Sequence, residues 1–137
     1  MAFLGNLEYE LISSLQLKLE QNLSSSKAVP FKFSEITPFP FSGSPKIVAA
    51  MLENSDELIQ LQHNTVKCVR AFGISLEHRR FKPHVTLGRL KYRSRKSIVF
   101  KPQQIFLEGV SDKIVIFKSE LARKRAVYTS LGEISLI

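Results

Sequence analysis

Apolar residues recur at helical spacing in two stretches of the chain and at strand spacing in several others. Leu7, Leu11, Ile12, Leu15 and Leu19 fall three and four residues apart. That spacing gathers them on one face of a 3.6-residue period and predicts a helix from residue 7 to about 22, ended by Ser24-Ser25-Ser26. A second stripe, Leu58, Leu61, Thr65, Val69 and Phe72, predicts another helix. It opens at Asn54, with Glu57 at capping-box distance, and stops at Gly73, which tolerates the backbone of a helix end. Between the two, residues 29–36 alternate, with Phe31, Phe33 and Glu35 on one side, as a strand does. The apolar run at 46–53 reads as a buried strand. Residues 81–90 read as a strand opened by Pro83, where a missing N–H is tolerated. Three more strands are expected at 105–110, 113–121 and 126–136, with Gly109-Val110-Ser111-Asp112 as a turn between the first two. Pro38-Phe39-Pro40, residues 42–45 and the basic stretch 91–96 are expected loops. Met1 to Leu4 resembles the end of a buried strand that turns at Gly5-Asn6.

These elements describe one α+β domain over residues 1–137. Two helix-then-strand segments hint at a duplicated architecture without a clear sequence repeat. Apolar residues make up 44% and charged residues 23%, which is enough to fold around a core and argues against wholesale disorder. No run is long and apolar enough to span a membrane, and the first residues lack the pattern of a secretory signal.

Charge changes the picture more. Twenty Lys and Arg against twelve Asp and Glu leave +8, an excess that favours polyanionic partners. Cys68 stands alone, so no disulfide forms within the chain and a reducing, cytoplasmic setting is expected. It sits in the second helical stripe as a small core residue. One Cys and three His show no zinc-ligand spacing. No metal or cofactor is expected.

The chemistry concentrates in Phe81-Lys82-Pro83-His84-Val85-Thr86-Leu87-Gly88-Arg89. Alternate residues of a strand share a face, so His84 and Thr86 point one way while Val85 and Leu87 point oppositely into a core. An imidazole can give or take a proton near neutral pH. A hydroxyl beside it can donate to a non-bridging phosphate oxygen, and cations around the strand can hold the negative charge. Arg89 falls on the side opposite His84 if the strand is regular; it reaches phosphate around the strand end or stabilises a loop. The run Arg89, Lys91, Arg93, Arg95, Lys96 and Lys101 reads equally as a guide for an RNA backbone or as a solvated loop. Arg123-Lys124-Arg125 forms a second basic turn. Tyr92 and Phe81 are candidates to stack on a base, with Phe81 equally a core residue. His78 reads as a solvated loop residue and His63 as a structural one beside the helix core.

The segment 81–89 resembles the second signature of the 2H phosphoesterases, in particular the 2'-5' RNA ligase, or LigT-like, branch. The tail is similar too, with Ile116 to Leu121, a basic loop, then Tyr128-Thr129-Ser130-Leu131. Phe3-Leu4-Gly5 resembles the segment that follows that family's first His-x-Thr motif. The resemblance implies a bilobal fold with antiparallel-rich sheets around a central cleft. It implies a metal-independent reaction in which two histidines exchange protons with water and the departing ribose oxygen while two threonines grip the phosphate. His84 and Thr86 would supply one such set, as acid or as base, with Arg80, Lys82, Arg89 and Arg93 as substrate-binding cations.

The resemblance also implies a strand, a helix and a first His-x-Thr strand ahead of residue 1, so the N-terminal lobe is expected to be incomplete. A start assigned too late, a trimmed chain or a natural half-enzyme would each account for that. The expected function is an RNA 2',3'-cyclic phosphodiesterase that leaves a 2'-phosphate, with reversible 2'-5' ligation as the same chemistry with a ribose hydroxyl in place of water, and tRNA fragments among candidate substrates. With one histidine set the chain is expected to be nearly inactive alone. The alternative is a non-catalytic RNA-binding module that keeps the basic cleft. An exposed sheet edge would favour a homodimer.

Overall fold

The computed structural model describes residues 1–41, 43–91 and 101–137. Its elements run α1 (Tyr9–Leu23), β1 (Val29–Phe39), β2 (Ile47–Leu52), α2 (Asp56–Ala71), β3 (His84–Arg89), β4 (Gln103–Ser111), β5 (Lys113–Ala122) and β6 (Arg125–Ser135). The strands form two antiparallel sheets, one of four strands in the order β3-β2-β1-β4 and one of two, β5-β6. This is the α+β architecture expected. No helix of the described residues is long and apolar enough to cross a membrane.

The core lies between the two helices and the two-stranded sheet. Leu15, Leu19 and Leu23 of α1 meet Leu61, Cys68 and Val69 of α2, Ile114 and Ile116 of β5, and Ile134 of β6. Cys68 is buried as expected, and burial pushes its thiol pKa up. The α1 stripe is shifted from the expected one. Leu15, Leu19 and Leu23 repeat at four residues and are buried, whereas Leu11 is 41% exposed. Leu7 and Ile12 pack only against the rim of the cluster.

The start of α2 also differs by one residue. Ser55, not Asn54, is the N-cap, and its side chain accepts from the Leu58 amide at 3.1 Å. Asp56 and Glu57 then sit in the first turn, where carboxylates favour the positive end of the helix dipole. Ser55→Ala should cost about 0.5–2 kcal/mol of stability, whereas Asn54→Ala should be nearly silent. Urea unfolding of the two variants side by side checks this. At the other end Gly73 adopts φ +103°, the left-handed conformation that a helix stop requires.

Two further expectations are corrected. The segment 109–112 is not a hairpin turn: β4 pairs with β1, β5 pairs with β6, and Asp112 alone joins them as the chain crosses between sheets. The alternation in β1 is also broken. A register shift between Phe33 and Glu35 sets Phe33 opposite Leu52 and Glu35 opposite Met51. Leu52 and Met51 face opposite ways, so Glu35 lies on the other side of the sheet from Phe33.

Candidate functional site

Among the described residues β3 is an edge strand, held on one side by β2. Ile47, Ala49 and Met51 alternate on one face of β2. Their partners on β3 are Arg89, Thr86 and His84. The register shifts between Val48 and Ala49, so Leu87 is an extra residue in β3. A bulge of this kind re-aims the side chains beyond it. In a regular strand Arg89 would oppose His84; past the bulge it joins His84 and Thr86 on one face. Three side chains suited to a phosphate, an imidazole, a hydroxyl and a guanidinium, thus share one rigid surface.

The expectation for the intervening residues is corrected as well. Val85 and Leu87 do not enter a core: they are 47% and 55% exposed. Val85 lines an apolar cavity of about 470 Å³ with Phe31, Phe33, Ile114 and Phe117. That cavity lies on the face opposite His84 and Thr86, and neither of them lines it. Among its described lining residues the one lysine, Lys113, is engaged by Glu133 at 2.9 Å, a hydrogen bond and ion pair that raise the lysine pKa, and burial lowers the pKa of the Met1 amine. The cavity therefore has little to offer a phosphate, and the polar face of β3 is the better candidate.

His84 is exposed and held from two directions. Its Nδ1 lies 2.8 Å from the Lys82 carbonyl oxygen. A carbonyl only accepts, so Nδ1 donates and Nε2 is left for chemistry. The ring also packs on Phe39, with centroids 4.8 Å apart and planes inclined by 31°. Phe39 in turn meets Phe41 edge to face at 5.5 Å. The Lys82 ammonium lies 5.9 Å from the Phe39 centroid and 5.3 Å from that of Phe41, within cation–π range.

The remaining expected residues divide. Arg80 and Lys82 are exposed just ahead of β3, and no ion pair among the described residues engages them or Arg89. Arg93 lies outside the described residues, as do Tyr92, Arg95 and Lys96. Phe81 is half-buried. His78 sits on the surface with its Nδ1 3.4 Å from an Arg70 guanidinium nitrogen. His63 is exposed on α2, beside Lys67 and Arg70, and not part of the core. Arg123-Lys124 is the tight turn between β5 and β6, with Arg123 at φ +50°.

His63-Asn64-Thr65 repeats the His-x-Thr spelling, but on a helix. Positions two apart on a helix diverge, and Thr65 is buried with its hydroxyl donating to the Leu61 carbonyl at 2.8 Å. Phe39 and Phe41 were not marked by the sequence as site residues. Phe39 lies 45 positions before His84, and nothing local in either segment announces the contact.

The sequence profile of the family described as LigT like Phosphoesterase matches residues 50–128. A Thermotoga maritima protein named RNA 2',3'-cyclic phosphodiesterase is 28% identical over 137 residues, spanning 96% of this chain and 71% of its own length. An Archaeoglobus fulgidus protein of the same name is 30% identical over 93 residues, 66% of this chain and half of that protein. Among solved structures, E. coli LigT complexed with 3'-AMP superposes with a TM-score of 0.78 at 23% identity, covering 98% of this chain and 74% of that one.

Proposed function

Since the chain belongs to the LigT-like phosphoesterase family, we propose that it acts on RNA ending in a 2',3'-cyclic phosphate and hydrolyses that end to a 2'-phosphate. The observation that carries this reading is the shared face of His84, Thr86 and Arg89, produced by the bulge at Leu87. The names of the relatives from Thermotoga maritima and Archaeoglobus fulgidus support the choice of substrate.

In the reaction a water oxygen bonds to phosphorus, the bond from phosphorus to the ribose 3' oxygen breaks, and that oxygen leaves with a proton. The phosphorus passes through a five-coordinate state with added negative charge on its non-bridging oxygens. Thr86 Oγ1 donates to one of these oxygens. The Arg89 guanidinium, fixed in charge and forked in shape, holds the charge. His84 Nε2 either takes the proton from water or gives one to the leaving oxygen; both roles need the nitrogen that Nδ1–H···O=C leaves outward. Ligation through a 2'-5' linkage is the same step with a ribose 5' hydroxyl in place of water: its oxygen bonds to phosphorus, the bond to the 3' oxygen breaks, and the reaction is reversible. Arg80 and Lys82, and Arg93 beyond the described residues, would bind the RNA backbone, tRNA fragments being among the candidate RNAs. With one imidazole set on this face the 137-residue chain by itself is expected to turn over slowly. Two copies would meet through a sheet edge that has no partner among the described residues, at β3, β4 or the β5-β6 pair.

The test is an end-group assay. The purified chain is given a short RNA with a 2',3'-cyclic phosphate, with chelator present, and the product end is identified. A 2'-phosphate that depends on His84 is the expected result. A 3'-phosphate product, or turnover indifferent to His84, would overturn the reading, and binding without turnover would point to an RNA-binding module instead. Arg89→Ala should lower kcat/KM roughly tenfold to a hundredfold, the scale of one lost charge-assisted hydrogen bond of about 1.5–3 kcal/mol. Arg89→Lys should recover only part, since a point charge cannot reproduce the fork.

A further inference from the structure

The face that carries His84 is organised by a residue from the far end of the β1–β2 hairpin. Glu35, Met51 and His84 form one row across the three strands, and Phe39, Ile47 and Arg89 form another, four positions along β1 and β2. The row between them is Thr37, Ala49 and Thr86. Its central member is small and fully buried, with Ala49 at 0% exposure. A methyl at that point leaves room for the Phe39 and His84 rings to lean toward one another and meet at 4.8 Å. A longer side chain there would stand between them.

An imidazole on a strand has two free torsions. The bond from Nδ1 to the Lys82 carbonyl fixes where one ring atom lies but lets the ring pivot about that contact. The Phe39 ring, tilted by 31° against the imidazole with centroids 4.8 Å apart, blocks that pivot on one side. Together the two contacts determine both which nitrogen carries the proton and the direction in which Nε2 points. Phe39 itself is steadied by the edge-to-face contact with Phe41 and by the Lys82 ammonium shared between the two rings. Lys82 thereby ties the aromatic pair to the imidazole twice, through its carbonyl and through its side chain.

We propose that Phe39 is the positioning residue of His84, holding the imidazole in the Nδ1–H form with Nε2 aimed across the Thr86 row. It touches no reacting atom and acts only through the ring it stacks on. The catalytic consequence rests on the phosphodiesterase reading given above; the structural one does not, and the two are tested apart.

The structural test is nitrogen-15 NMR of the His84 ring at a pH where it is neutral, in the wild-type chain, Phe39→Ala, Phe39→Leu and Phe39→Tyr. The wild type and Phe39→Tyr, which keep a flat ring, are expected to show the Nδ1–H tautomer alone. Phe39→Leu keeps apolar bulk without the flat face and, like Phe39→Ala, is expected to show a mixture of tautomers. An unchanged His84 spectrum in Phe39→Leu overturns the proposal, and that variant stands if Phe39→Ala fails to fold.

The kinetic test uses the cyclic-phosphate RNA. Phe39→Leu should lose roughly tenfold to a hundredfold in kcat, the scale of a misaimed catalytic group, with KM changed less than about threefold, because Arg80 and Arg89 are untouched and Lys82 keeps its charge and its contact with Phe41. Phe39→Tyr should restore kcat. A loss confined to KM, or Leu performing as well as Phe, overturns the positioning role. If the wild type shows no turnover, it is the phosphodiesterase reading that fails, and the tautomer spectra still decide for or against Phe39.

Discussion

His84→Ala is expected to lower the turnover of a 2',3'-cyclic phosphate end by ~10²–10⁴-fold, the range for losing one proton-transfer group, while the chain stays folded. The imidazole is exposed, so its removal opens no cavity in the core. What is lost is the ring contact with Phe39 and the hydrogen bond to the Lys82 carbonyl. That carbonyl lies beside an exposed strand edge, where water can replace the donor at small cost. RNA affinity should be nearly unchanged, because Arg80, Lys82 and Arg89 keep their charge and dominate binding to a polyanion. Steady-state kinetics together with an RNA titration at fixed salt separate the two effects. A drop in kcat with Kd held is the expected pattern. Turnover within a few-fold of wild type would remove His84 from the mechanism.

Leu15→Ala should produce the largest loss of stability of any single change considered, about 2–5 kcal/mol. Leu15 is 0% exposed and stands where α1 packs on α2 and on the β5-β6 sheet. Truncation leaves a hole that the surrounding Leu19, Leu61 and Ile134 cannot close without moving two elements. Against the ~5–15 kcal/mol that a domain of this size usually has in total, a cost at the upper end would leave much of the chain unfolded at 37 °C. Leu11→Ala is the control. That residue is 41% exposed on the same helix, and its loss should cost under about 1 kcal/mol. The difference in urea midpoint between the two variants is the measurement. Equal midpoints would mean that α1 is not anchored at Leu15.

The element map was readable because periodicity is local. The stripe Leu58, Leu61, Thr65, Val69 puts α2 in the right place, and Gly73 stops it where a left-handed backbone is needed. The one-residue error at its start has a plain origin: Asn54 and Ser55 are both good caps, and only the backbone decides which one turns its side chain back to a free amide. The error on α1 is similar. Leu7, Leu11, Ile12, Leu15 and Leu19 satisfy the period, but the buried line is Leu15, Leu19, Leu23, since a wide apolar stripe does not say which edge of it meets the neighbouring helix. Pairing was not readable. The turn-like residues 109–112 suit a hairpin, yet the chain crosses there from one sheet to another.

For the site, the sequence by itself determined the residue types and one geometric fact. His84 and Thr86, two apart on a strand, must share a face, and Arg80 and Lys82 just ahead of them are cations of the kind a phosphate site uses. It also supplied the family resemblance that the profile match over residues 50–128 bears out. Tertiary structure decided the rest. The triplet His63-Asn64-Thr65 has the same spelling as His84-Val85-Thr86, but a helix sends its side chains apart and buries the threonine. Arg89 joins His84 only because Leu87 bulges out of register with β2. Phe39 reaches His84 only because β1, β2 and β3 lie side by side with alanine in the row between. The physical reason is common to all three. Side-chain direction follows from secondary structure and register, and register depends on partners that are distant in sequence.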